Sequence, residues 1–316
     1  VEKDYVLAGV EGPMTEDRSA IEAFGLLSDG TRIDVLREVA VAQSEGAHTG
    51  GPAELSFSTL YDRVDIDNTS KLSYHLGELE GLFLRKTDGG YSLTHAGERI
   101  VRLLLSENYG APTGFEGTDV SGTCPLCGAH SLEVSLENQF LTVACRDCER
   151  GIAGYEVTPA QVRDRSPSAV VETLAHRMSA HYRQVRGGVC PSCGGDLSLE
   201  VVEGGELEAD PFRAVDRCRQ CLRSYSAPLT LRSTYHPEAI AFCWERGVDV
   251  LTLAPWELLG YASEGQWTGT RTATDPTEYE VTLRLEDDAL RLELAADLSI
   301  TATERVRRRS LADRRS

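Results

Sequence analysis

The chain has 316 residues, 41% of them hydrophobic, enough for two or three domains with sizeable cores and too many for wholesale disorder. It carries 50 Asp+Glu against 32 Lys+Arg, a net charge of −18 that argues against a generally nucleic-acid-binding surface, so local patches must decide. No apolar run approaches the roughly 20 residues of a membrane helix and no signal-peptide pattern opens the chain, which points to a soluble, cytoplasmic protein with no membrane partner.

Only three of the 32 basic residues are lysines, Lys3, Lys71 and Lys86. An acidic, arginine-rich surface resembles those of proteins from salt-loving microbes, where high ionic strength shortens the Debye length and screens self-repulsion. Val1 in place of Met fits a GUG start codon read literally, with Met14 as the alternative start.

Residues 1–14 read as a flexible tail. Residues 15–107 read as five helices with a hairpin near the end. Thr15 with Glu16 and Asp17 suits a helix start, and Ala20, Ile21, Phe24 and Leu27 recur at helical spacing. Ser28–Thr31 breaks that helix and starts the next, whose stripe is Ile33, Leu36, Val39 and Ala40; residues 43–54 read as a polar loop. Ser56 caps a short helix over 56–63, and Asp67-Asn68 opens a fourth that ends near Gly81. There Leu72, Leu76 and Leu79 line one face, with Lys71, Tyr74, His75 and Glu78 on roughly the opposite one. Phe83–Lys86 and Tyr91–Leu93 are strands joined by a Thr87–Gly90 turn. Thr94 caps the last helix, in which the stretch from Ile100 to Leu105 is so apolar that it needs a partner.

Residues 108–122 read as a linker. Beyond them lie four Cys-x-x-Cys pairs: Cys124/Cys127, Cys145/Cys148, Cys190/Cys193 and Cys218/Cys221. In a cytosolic chain this spacing favours metal over disulfides. Pro stiffens the first turn of each quartet, and Gly128 and Gly194 permit the left-handed backbone that aims N–H groups at sulfur. Four thiolates leave no open position on tetrahedral Zn2+, so the expectation is two structural zinc ribbons, 123–158 and 188–235, joined by a helix over 159–187. Cys243 reads as a buried apolar residue. Residues 236–305 read as a small α+β domain, with helices near 237–246 and 255–261 and alternating strands about the Asp287-Asp288 turn; 306–316 read as a basic tail.

The order helix–helix–helix–helix–hairpin–helix is that of a winged helix-turn-helix. The runs Leu26–Arg32 and Lys71–Leu82 resemble the opening and the recognition helix of the ArsR family of prokaryotic repressors. The resemblance implies double-stranded DNA as partner, with Asn68, Thr69, Ser70, Lys71, Ser73, Tyr74 and His75 on the reading helix and Arg85 and Lys86 on the wing. It also implies a homodimer through the first and last helices. Metal sensing does not carry over, because residues 57–64 lack cysteine and His95 stands alone. Against DNA binding, residues 15–107 hold 9 Lys/Arg and 16 Asp/Glu, so either the binding face is locally basic or binding relies on contacts less sensitive to salt.

The whole order, with His236–Phe242, Gly247–Val250 and Trp256–Leu258, resembles a group of haloarchaeal helix-turn-helix regulators. The expected class is therefore α+β and multi-domain: winged helix-turn-helix, two zinc ribbons and a C-terminal α+β domain, acting as a sequence-specific transcription regulator. Two alternatives stand. One is a promoter-general factor contacting the transcription machinery, because a winged helix followed by a zinc ribbon resembles the alpha subunit of basal factor E. The other is a zinc-ribbon protein-interaction or thiol redox-responsive module. No nucleophile–base pair, phosphate loop or open metal site points to an enzyme.

Overall fold

A computed structural model describes residues 20–46, 54–107 and 114–307, mixed α+β with ten helices and four small sheets among them. The expected tail over 1–14, both candidate start residues, the helix start at Thr15, the middle of the 43–54 loop, the linker as far as 113 and the basic tail from 308 lie outside these residues. The chain divides into two compact units, Val1–Tyr109 and Gly110–Ser316. No helix among the described residues is long and apolar enough to cross a membrane.

The first unit contains α1 (Ala20–Leu26), α2 (Gly30–Gly46), α3 (Phe57–Arg63), α4 (Thr69–Leu79), the hairpin β1 (Leu84–Thr87) and β2 (Gly90–Leu93), and α5 (His95–Ser106). Short polar side chains begin these helices by accepting otherwise orphaned N–H groups. The Thr31 amide donates to Asp29 Oδ1 at 2.9 Å, Thr59 to Ser56 Oγ at 3.2 Å, Lys71 to Asn68 Oδ1 at 2.9 Å and Gly97 to Thr94 Oγ1 at 3.1 Å. Leu55 adds a one-residue third strand, exchanging backbone hydrogen bonds with Tyr91. Gly90 is needed there: its φ is +140°, and a Cβ would stand 2.2 Å from the Leu55 carbonyl oxygen.

Val35, Leu36, Val39, Leu60, Leu72, Leu76, Leu79 and Leu84 form this unit's core. Two expectations change. Helix α2 continues through 43–46, where the sequence suggested loop, because exposed polar residues such as Ser44 and Glu45 extend a helix without needing burial. The apolar pattern of α1 faces the core only in part: Leu26 is buried and Leu27 packs against that core, while Ile21 and Phe24 stand exposed.

The second unit opens with an antiparallel sheet of β3 (Phe115–Asp119), β4 (Leu132–Glu137), β5 (Phe140–Cys145) and β6 (Gly151–Glu156). Strand β3 lies within the expected linker: Phe115 pairs with Leu136, so the sheet takes an extra edge strand. Where one connecting helix was expected there are two, α6 (Pro159–Val162) and α7 (Pro167–Arg186). Asp164 takes a left-handed φ of 57° between them, and Pro167 opens the second helix as an N-terminal proline.

There follow β7 (Leu197–Leu207), β8 (Asp210–Cys218) and β9 (Ser224–Pro228), then α8 (Leu229–Thr234), α9 (Pro237–Trp244) and α10 (Pro255–Ser263). A meander of β10 (Trp267–Thr274), β11 (Thr277–Leu285), β12 (Asp288–Ala295) and β13 (Ile300–Arg307) completes the unit. Val281, Leu283, Leu285, Leu290, Leu292 and Leu294 are all buried, as their alternation predicted.

The segments from 114 onward are not separate bodies. One core joins the first sheet and α7 to Ala254 and Trp256; a second joins β7–β9 to α8, α9, α10 and the C-terminal meander. Leu126, Ile152 and Tyr182 pack against both. The Trp256 indole N–H donates to the Ser121 carbonyl at 3.1 Å, tying α10 to the chain just before the first cysteine pair. All six residues of α8 are buried, and its Arg232 is paired with the equally buried Asp216 of β8.

Candidate functional site

The fold gathers the eight paired cysteines into two groups, Cys124/Cys127/Cys145/Cys148 and Cys190/Cys193/Cys218/Cys221, in each of which all four sulfurs lie within 4.8 Å of one another. Cys124 and Cys148 stand 3.8 Å apart, Cys127 and Cys145 3.7 Å, Cys190 and Cys221 3.6 Å, and Cys193 and Cys218 3.5 Å. A tetrahedral metal with bonds of about 2.3 Å to sulfur sets its ligand edges at roughly 3.8 Å, so the donor sets fit such an ion and are far from the roughly 2 Å of a disulfide.

Each group is held by two copies of one loop. The residue four positions after the first cysteine of a pair returns its N–H to that cysteine's carbonyl: Gly128 to Cys124, Glu149 to Cys145, Gly194 to Cys190 and Leu222 to Cys218, at 2.9, 2.8, 2.8 and 3.2 Å. All four take left-handed backbone, with φ of 78°, 56°, 78° and 62°. Glycine meets that demand freely at two of them, whereas a side chain there costs about 1–2 kcal/mol. Leu222 is 82% exposed, so removing its side chain sacrifices little packing. Leu222→Gly is expected to raise unfolding stability by about 0.5–1 kcal/mol in denaturant melts. An unchanged or lower midpoint at equal metal content would refute that account.

Donors aimed at sulfur complete the groups. Backbone N–H groups of Leu126, Gly195 and Cys221 reach Cys124, Cys193 and Cys218, each at 3.4 Å. The Ser131 hydroxyl lies 3.4 Å from the Cys145 sulfur and, with the Cys148 and Asp147 amides, holds that thiol down to about 6. Burial pushes the Cys190 thiol up, but the Cys193 and Ser192 amides and the Tyr225 hydroxyl outweigh it and leave it at about 6. Ser131 and Tyr225 escape a reading of spacing alone, since neither sits in a cysteine pair. Cys243 is fully buried away from both groups, and burial pushes its thiol up to about 12.

In the first unit, Leu72, Leu76 and Leu79 of α4 are buried, and Thr69, Ser70, Lys71, Ser73 and Tyr74 are exposed. Two residues of the expected DNA-contacting set are otherwise engaged. The Asn68 side chain is the helix cap, and the Lys71 ammonium pairs with Asp67. His75 departs further from expectation: its side chain is only 13% exposed, edge-on to Tyr74 and 3.9 Å from Asp29. At 100° per residue it lies only about 60° from Leu72, on the flank of the buried face. On the hairpin Arg85 and Lys86 are exposed, the first near Ser92 and the second over the Tyr91 ring.

Residues 121–300 match the family described as a domain of unknown function (DUF7351), and residues 20–104 match a second such domain (DUF7347). No curated protein and no solved structure matches the chain.

Proposed function

We propose that this chain, which belongs to the DUF7351 family, is a sequence-specific DNA-binding transcription regulator whose first unit is a winged helix-turn-helix. The observation that carries the reading is α4: three leucines bury one face, while a run of small polar residues, a lysine and a tyrosine stands exposed from its N-terminal end, followed in the chain by a hairpin with Arg85 and Lys86 exposed. Helix N-termini and short polar side chains suit phosphates and base edges in the major groove, and basic hairpin residues suit the backbone beside it. With Asn68 held as the helix cap and His75 turned inward, the proposed contact set is Thr69, Ser70, Lys71, whose pair with Asp67 is exposed, Ser73 and Tyr74, with Arg85 and Lys86 on the wing.

A dimer on an inverted repeat follows from the apolar side chains left on α1 and α5. Ile21 and Phe24 are exposed, as are Leu103 and Leu105. Each cysteine group holds one Zn2+ in a structural role, because soft thiolates select zinc over hard cations and four of them close its coordination.

Genome-wide occupancy mapped in the native salt tests the reading without a guessed operator. Sharp peaks sharing an inverted repeat are expected; enrichment at most active promoters would favour a promoter-general factor, and no enrichment would remove the DNA-binding reading. On a site so found, a Lys71→Ala/Tyr74→Ala variant should lose at least about tenfold in preference over unrelated DNA, since a lost base or phosphate contact costs about 1–3 kcal/mol. His75→Ala should leave that preference unchanged. Full preference in the double variant would mean that α4 is not the reading helix.

A further inference from the structure

The second unit contains a cavity of about 540 Å3, lined by β5 and β6 of the first sheet, α7, the β7–β8 hairpin and residues of α8 and α10. The volume is that of a small-ligand pocket, about 300–1,000 Å3. Its apolar wall includes Leu126, Ile152, Met178, Leu207, Leu231 and Leu259. On β6, Gly151 has open space where a side chain would stand, whereas the half-exposed Phe140 ring occupies that place at Gly154.

Its charged lining groups are not equivalent. Glu206 pairs with Arg150 at 2.6 Å. One oxygen of the buried Asp210 accepts from both the amide and the hydroxyl of Thr230 at 2.7 Å. Arg213 donates from Nε and Nη2 to the neutral Ser226 hydroxyl at 3.2 and 3.1 Å, and although its charge acts on Asp210, it forms no ion pair with a carboxylate among the described residues. A half-buried guanidinium beside an apolar wall is an anchor for a planar monoanion, which its fork can bind through two parallel hydrogen bonds. A phosphate dianion suits it less, because Glu206 and Asp210 line the same cavity and no second lining cation would balance the extra charge.

We propose that this cavity binds a small amphipathic carboxylate, its apolar body against Leu126, Ile152, Met178 and Leu231 and its carboxylate on Arg213. The inference does not depend on DNA binding, and its test contains no DNA.

The test is calorimetric titration of the full, metal-loaded chain at fixed salt with octanoate, 3-phenylpropanoate and indole-3-acetate, each against its primary amide. At least one acid is expected to bind once per chain and at least about tenfold more tightly than its amide, the difference a charge-assisted pair supplies. Arg213→Gln should abolish that preference while leaving the amide's affinity unchanged, and Thr142→Trp, which fills the cavity from β5, should block both. Metal content and the denaturant midpoint verify that each variant is folded. Absence of saturable binding by all three acids, equal affinity for acid and amide, or a preference that survives Arg213→Gln would each overturn the proposal.

Discussion

Removing metal with a chelator is expected to unfold residues 114–307 while the helices of the first unit stay folded. Structural zinc contributes on the order of 10 kcal/mol to small four-ligand domains, comparable to the roughly 5–15 kcal/mol that stabilises a whole domain. The damage cannot stay local here. Cys124 and Cys145 belong to the first core of the second unit, and Leu126, within the first cysteine pair, packs on both cores.

The chain provides its own reporter for this experiment. Trp244, Trp256 and Trp267 are all its tryptophans and all lie in the second unit, where Trp256 and Trp267 are 1% exposed. Chelation should therefore shift tryptophan emission to the red and release two zinc ions per chain, while a separate helical melting transition from the first unit persists. Single-site variants divide the effect. Cys127 and Cys193 are exposed, so Cys127→Ser and Cys193→Ser remove a ligand with little change in packing, and each should lose about one zinc. Native emission after complete loss of zinc would show that the sulfur clusters do not hold the unit together.

Much of this arrangement was legible because the signals were local. Ser56, Asn68 and Thr94 announced helix starts by residue type, and each accepts the N–H that such a cap should accept. Cysteine spacing foretold two groups of four, and Gly128 and Gly194 foretold the left-handed turns. The equivalent turns at Glu149 and Leu222 carried no such mark, since nothing in either side chain favours that backbone. Features that depend on distant partners were hidden. Phe115 reads as part of a Gly/Pro/Thr-rich linker until Leu136 offers an edge to pair with. An apolar stripe on α1 says that a surface wants covering, not which of its side chains the unit's own core takes up. Segment boundaries drawn at each cysteine module missed the shared packing of Ile152 and Tyr182, because periodicity shows which face is apolar and never what meets it.

The buried pair Asp216–Arg232 should give the largest effect of any single substitution outside the cysteines. Both side chains are under 10% exposed, and removing one partner of a buried pair costs about 3–5 kcal/mol because the other charge remains without compensation. The two losses should differ in kind. Asp216→Ala strands a guanidinium that cannot discharge, close enough to Arg186 to act on its ionisation. Arg232→Met strands a carboxylate that can take up a proton, and burial already raises the Asp216 pKa despite Arg232. Without Arg232 that pKa must rise further. A carboxyl whose folded pKa exceeds its unfolded value binds more protons when folded, so stability falls as pH rises through the window between the two. Denaturant melts should therefore show Asp216→Ala destabilised at every pH from 4 to 8, a range chosen to bracket carboxylate titration. Arg232→Met should recover part of its loss toward the acid end. The Asp216→Ala/Arg232→Met double variant, with neither charge left, should be more stable than Asp216→Ala alone. A loss below about 1 kcal/mol in Asp216→Ala, the range of an exposed ion pair, would mean that water reaches Arg232 and that α8 is less tightly enclosed than its six buried residues indicate.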